Sequence, residues 1–210
     1  DFPAAVAGVI TLADSTDYFL ANDISTSNKF AGGFEVVLRG PASQIVRLTY
    51  TGTGTMFTST NPALRITGVS LSCPSAKVFD MSSSGTGVFQ MIESTVVSCT
   101  SLGTIGTMSL VRLSGLTLST ATNGIDFTGA IGIFSTENFI NFQSAGTAYA
   151  FGTAVFTSLS ISSNKLISST AVNFITGATG SANIAATGFA TVTNCRMPST
   201  VTPLTGVSTE

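Results

Sequence analysis

The chain has 210 residues, 43% hydrophobic and only 9% charged, with eight Lys and Arg against ten Asp and Glu, a net charge of −2, and neither His nor Trp. Singly scattered cations offer no basic stripe to neutralise phosphates, so nucleic-acid binding is not expected; without His, the commonest general base and the commonest metal ligand are missing. The apolar residues come in twos and threes among Ser, Thr, Gly and Asn and never approach the roughly 18-residue run a membrane helix needs, so a soluble, single-domain, all-β chain without membrane insertion is expected.

Residues 1–34 contain VITLADSTDYFLANDIST and end in a Gly pair at 32–33. They read as one or two strands and a polar loop, an N-terminal capping segment that closes the first coil of whatever follows. They show no basic leader, and a chain opening on Asp1 reads as processed, trimmed or partial.

From residue 35 a phrase recurs: apolar, any, apolar, small polar, then Gly, Ser or Asn, then apolar again. It appears as LRITGVSL at 64, FQMIESTVV at 89, VRLSGLTL at 111, IFSTENFINF at 133, LSISSNKLI at 159 and ATVTNCRM at 190. Taking Gly68, Ser94, Gly115, Asn138, Asn164 and Asn194 as equivalent bend residues gives steps of 21 to 30 residues, the range of a solenoid repeat. A second series, Phe57, Phe79, Ile105, Phe127, Phe151 and Ile175, recurs every 22 to 26 residues. Within each copy the apolar residues alternate, which is the two-residue period of strands facing a core, and Gly or Asn suits a bend with positive φ. The prediction is a right-handed parallel β-helix of about six or seven coils over residues 35–210.

Stacking such coils turns equivalent residues into columns. Asn138, Asn164 and Asn194 become a candidate asparagine ladder. Cys73 and Cys99, each five residues past its bend, fall in one column as stacked core thiols or, given favourable side-chain angles, a disulfide, and three scattered Cys make no metal motif. The C-terminal STVTPLTGVSTE has no amphipathic cap, so an uncovered end or a partner covering it is expected.

No catalytic residue is assigned with any motif behind it. Glu93 and Glu137 each stand just before the bend residue two coils apart, where backbones about 10 Å apart would suit an acid and base of the inverting glycosidase kind; solvated corner residues explain them as well. Asp80 and Asp126 flank the Phe column on opposite sides and are not expected to point the same way. Tyr18, Tyr50 and Tyr149 are the available rings for stacking on sugars, whereas the fifteen Phe sit in core phase. TGTG at 51–54 and GTIGT at 103–107 lack the Lys and helix of a phosphate loop and read as turns, so no cofactor is expected. A Thr-rich ice-binding face does not fit coils of unequal length.

The run PAAVAGVITLADSTDYFL, then GGFEVVLRGP, then Ser/Thr/Gly-rich coils with columns of Phe and Asn resembles the right-handed parallel β-helix proteins of bacteriophage virions: capsid decorations, tail fibres and tailspikes. That resemblance implies a homotrimer at the virion surface, contacting other capsid or tail proteins, with a structural and non-enzymatic role. Its alternative implication is a tailspike domain that binds or depolymerises a host surface glycan. A cellular surface adhesin would share the fold.

Overall fold

The structure, a computed structural model, describes residues 8–11, 18–20, 24–25, 36–39, 46–58, 63–82, 87–120, 123–137, 140–143, 146–167, 172–177, 183–197, 199 and 201–205. The described residues form an all-β solenoid in which every strand pairing is parallel and no helix occurs.

Each coil lays strands on three faces. The first face is an eight-stranded sheet of Gly8–Thr11, Val36–Arg39, Ala63–Thr67, Val88–Ile92, Met108–Ser114, Ala130–Glu137, Val155–Ser162 and Ile184–Thr193, stacked in chain order. The second face runs Tyr18–Leu20, Val46–Tyr50, then the first halves of Val69–Met81 and Thr95–Ile105, then Thr117–Thr120, Ile140–Gln143 and Lys165–Ile167. The third begins at Ile24–Ser25 and Thr55–Thr58, takes the second halves of the same two long strands, and continues through Asn123–Phe127, Gly146–Gly152, Val172–Gly177 and Val201–Thr205. Because Val69–Met81 and Thr95–Ile105 keep pairing around the corner, with register shifts on either side of Cys99, they join two faces into one thirteen-stranded sheet.

Seven of the first-face strands lie in 35–210, and the eighth, Gly8–Thr11, lies in the segment expected to act as a cap. That segment also supplies Tyr18–Leu20 and Ile24–Ser25, so its described strands occupy the same three faces as every later coil and pair in parallel with the next one.

The core follows from the alternation. On the first face Leu64, Phe89, Val111, Phe134 and Leu159 form one buried column, and Ile66, Met91, Leu113, Thr136 and Ile161 another. Arg65, Gln90, Arg112, Ser135 and Ser160 stand in the register position between them, on the outside, where Arg65 Nε donates to Gln90 Oε1 at 2.8 Å. Toward the middle of the stack the core becomes aromatic. Phe127 meets Phe134, Phe156 and Phe151 at ring-centroid distances of 4.8, 5.2 and 5.8 Å, and Tyr149 joins through Phe134 at 5.5 Å and Phe174 at 5.6 Å.

The Phe series of the sequence is not one column. Register aligns Phe57, Phe79, Gly103, Ile125, Tyr149, Ile175 and Leu204, while Ile105 and Phe127 follow Met81 two residues further on. A slip of two residues preserves the inside–outside phase of a strand, so Phe57, Phe79, Ile125, Tyr149 and Ile175 are buried just as Met81, Ile105 and Phe127 are, and the apolar pattern alone does not separate the two sets. Cys73 and Cys99 do pair in register, both buried and free. Their mutual hydrogen bond, reinforced by burial, pushes the Cys99 thiol well above its ordinary range and keeps it protonated.

Candidate functional site

The bend at the end of the first face organises the sequence-predicted residues, with a one-residue correction. Strand register places Gly68, Glu93, Gly115, Ser163 and Asn194 at equivalent positions, directly after Thr67, Ile92, Ser114, Ser162 and Thr193. Each of the five has positive φ, between 48° and 65°. Backbone hydrogen bonds tie the column together: Gly68 N donates to Ile92 O at 3.1 Å, Glu93 N to Ser114 O at 2.8 Å, Gly115 N to Glu137 O at 3.0 Å and Ser163 N to Thr193 O at 3.0 Å. Asn138 lies outside the described residues.

The bend residues are therefore Glu93 and Ser163, not Ser94 and Asn164. A left-handed conformation favours Gly and Asn and tolerates Glu poorly, which makes residue type a misleading guide here. Ser94 and Asn164 occupy the next position, shared with Val69, Leu116 and Cys195, and both are buried. From there Ser94 Oγ donates to Ile92 O at 2.9 Å, Asn164 Nδ2 to Ser162 O at 2.9 Å and Cys195 Sγ to Thr193 O at 3.4 Å. Each polar side chain reaches back two residues to the carbonyl before the bend; at Ile92 O and Thr193 O, this adds a second hydrogen bond to the one each accepts from the bend amide of the adjacent coil.

This separates the expected asparagine ladder. Asn194 is at the exposed bend, whereas Asn164 points into the core, where its Oδ1 accepts from Tyr149 Oη at 2.6 Å and Thr136 Oγ1 at 3.2 Å. Burial raises the Tyr149 phenol far above its usual range, so it remains a neutral donor to Asn164. Tyr149 is wholly buried and offers no ring to a sugar.

The same correction separates Glu93 from Glu137. Glu137 shares its register position with Ile92 and Ser114 on the strand, while Glu93 is itself the bend residue over Gly115. Both are exposed, and the register gives them no common direction.

The structure brings together a different pair. Register on the third face aligns Thr58, Asp80, Thr104, Asp126, Ala150 and Thr176, so Asp80 and Asp126 share one outward column with only Thr104 between them, contrary to their expected divergence. Two strand spacings set their backbones roughly 10 Å apart. Lys77 bridges the pair electrostatically: its Nζ lies 3.0 Å from Asp80 Oδ2, and its charge also acts on Asp126. The two carboxyls are driven apart. Burial raises Asp80, but hydrogen bonds from Ser82 and Lys77 outweigh it and hold Asp80 below its ordinary value, while burial dominates at Asp126 and raises it. A low and a raised carboxyl on one face is the electrostatic pattern of a proton acceptor beside a proton donor. The misplaced Phe column hid it: aligning Phe79 with Phe127 instead of Ile125 puts the acids on opposite sides.

The opposed shifts give a pH signature. For Asp126, with a raised folded value, the native state holds the proton more tightly, so stability falls as pH rises through the folded value. For Asp80, stability gained above the unfolded value near 3.8 is lost as pH falls through the depressed folded value. Asp126→Asn is therefore expected to raise the melting temperature at pH 7 and to leave it unchanged near pH 3. Asp80→Asn is expected to lower it at pH 7, with the gap closing in acid. The Lys77–Asp80 pair is partly exposed, so its contribution is about 0.5 kcal/mol. Thermal unfolding of the two variants at both pH values checks the signs.

Among the described residues no three His, Cys, Asp or Glu side chains converge as metal ligands. Compared with known protein families, curated proteins and solved structures, the chain matches none.

Proposed function

We propose that this chain is a structural, non-enzymatic protein of a phage virion, a homotrimeric β-solenoid that decorates the capsid or forms a fibre or spike and works through rigid shape. The observation that carries the reading is an outward apolar stripe on an otherwise Ser- and Thr-rich first face. Val88, Leu110, Ile133, Ser158 and Phe189 share one register position, apolar except for Ser158; Val88 and Leu110 are half-buried, Ile133 is 47% exposed and Phe189 63%, and exposed Val155 lies three residues before Ser158 on the same strand. A lone exposed apolar residue needs no explanation, but a line of them along the stacking axis suits side-by-side contact between copies. Nearly every strand residue is held between parallel neighbours, which suits a stiff appendage that resists local opening.

Light scattering is expected to give a mass near 64 kDa, three times the 21.4 kDa of the chain. Ile133→Asp is expected to reduce it to the monomer value with the β signal in circular dichroism unchanged, and antibodies against the chain are expected to label intact particles. A wild-type monomer, or unlabelled particles, would refute the assembly or the location respectively.

The Asp80–Asp126 column favours a second reading, a tailspike-type domain that cleaves a host surface glycan. In that case reducing ends released from capsular or lipopolysaccharide would disappear with Asp80→Asn and Asp126→Asn, and persist with Glu93→Gln and Glu137→Gln.

A further inference from the structure

Cys73 and Cys99 are register partners on adjacent parallel strands, both buried and both free, and Cys99 hydrogen-bonds to Cys73. Adjacent strands bring such partners to about 4.8 Å between backbones, inside the roughly 4.4–6.8 Å between Cα atoms that a disulfide spans. The third thiol does not compete. Cys195 follows a first-face strand four places further along the stack, roughly 19 Å away, and its Sγ donates to Thr193 O at 3.4 Å.

The ladder is irregular on both sides of this pair and nowhere else between the two long strands. On one side Val97 is the extra residue between Val96 and Ser98, which pair with Leu71 and Ser72, and its apolar side chain is 42% exposed. On the other, Cys73 and Lys77 are four residues apart while their partners Cys99 and Ser101 are two apart, so Val69–Met81 bulges outward there. Pro74 and Ser75 in that bulge are exposed, and Pro74 has no amide hydrogen to give to a ladder. The two thiols therefore lie beneath the corner where the sheet is least regularly paired, a place that opens locally at lower cost than the rest of the stack.

We propose that Cys73 and Cys99 form a redox site: two thiols in a reducing compartment, and under a small-molecule disulfide oxidant a disulfide that staples two successive coils. One Cys, as its thiolate, attacks a sulfur of the oxidant and releases one small thiol. The other Cys then attacks the protein sulfur of the mixed disulfide, forming the Cys73–Cys99 bond and releasing the second small thiol. The two Cys lose two electrons and two protons, and the oxidant's S–S bond takes them up. While the corner is closed Cys99 stays protonated, so exchange waits for the corner to open. A staple serves a structural rod and an enzyme alike, so it stands apart from both functional readings.

The Cys195→Ser chain, prepared reduced, is treated with excess oxidised glutathione, once folded and once during refolding from denaturant. Both samples are expected to lose two hydrogens by intact mass and to retain no free thiol, the folded one more slowly. Digestion is expected to yield the peptide of Cys73 joined to that of Cys99. The oxidised monomer is expected to melt about 6–12 °C above the reduced one, as for a loop of about 26 residues closed in a chain of this size. Cys73→Ala in the same background is expected to give no cross-link and no gain. Should Cys195→Ser disturb folding, wild type is treated identically and the joined peptides name the partners. Two free thiols or two glutathione adducts after refolding in oxidant, a bond to Cys195 or between molecules, or an oxidised monomer that melts no higher than the reduced one would overturn the proposal.

Discussion

Phe127→Ala is expected to lower the unfolding free energy by about 3–5 kcal/mol, a large share of the roughly 5–15 kcal/mol that holds a typical domain together. The ring is buried and touches three others from three different strands, with Phe134, Phe151 and Phe156 all within 5.8 Å between centroids. Truncation removes the transferred apolar area and leaves a cavity walled by rings that belong to different strands. Parallel strands fixed by backbone hydrogen bonds collapse poorly into such a space, so the cavity cost is retained. The measurement is the denaturant midpoint of wild type and variant. Val88→Ala, on the outward stripe, serves as the control and is expected to shift the midpoint by less than about a fifth as much.

Gly103→Ala is the second large effect. Gly103 stands in a core column between Phe79 and Ile125, with φ of 152°, and a Cβ there would lie 2.2 Å from Phe79 O and 2.5 Å from the Phe79 ring. The obstructing atom is backbone, itself pinned in the sheet, so relief requires spreading two coils. Overpacking at about 1–3 kcal/mol and backbone strain of similar size combine to a loss of about 2–6 kcal/mol. Gly68→Ala isolates the conformational part: Gly68 has φ of 65° but nothing within 4 Å of an added Cβ, so it is expected to lose only about 1–2 kcal/mol. If the two variants melt alike, the close approach at Gly103 carries no stability and this account of the column fails.

The coil pattern was readable because strands facing a common core repeat every two residues, and because Gly68 and Gly115 mark bends that any alignment finds. The errors came from letting residue type outrank that period. Ser94 and Asn164 resemble bend residues more than Glu93 and Ser163 do. Anchoring instead on the paired core positions, Leu64 and Ile66, Phe89 and Met91, Val111 and Leu113, Leu159 and Ile161, puts the bend two residues after each second member and lands on 68, 93, 115 and 163. A slip of one residue exchanges inside for outside, which is how an inward Asn164 came to share a ladder with the exposed Asn194. A slip of two is silent in hydropathy, and it concealed the Asp80–Asp126 column. The Asn164–Tyr149–Thr136 hydrogen bonds had no sequence signal, since the three residues come from a bend and two separate strands and meet only when the coils stack.

The parallel register has a consequence for inheritance. Every column is filled by one residue per coil, and the bend position recurs at 68, 93 and 115 in the same structural role, so the stretch from Glu93 through Ser114 is a unit that begins and ends at equivalent points. Gaining or losing such a unit in frame leaves the neighbours facing residues of the same kind and changes the height of the molecule by one strand spacing, about 4.8 Å. Height here is a counted quantity, and recombination between coils is able to lengthen or shorten it without inventing a new fold.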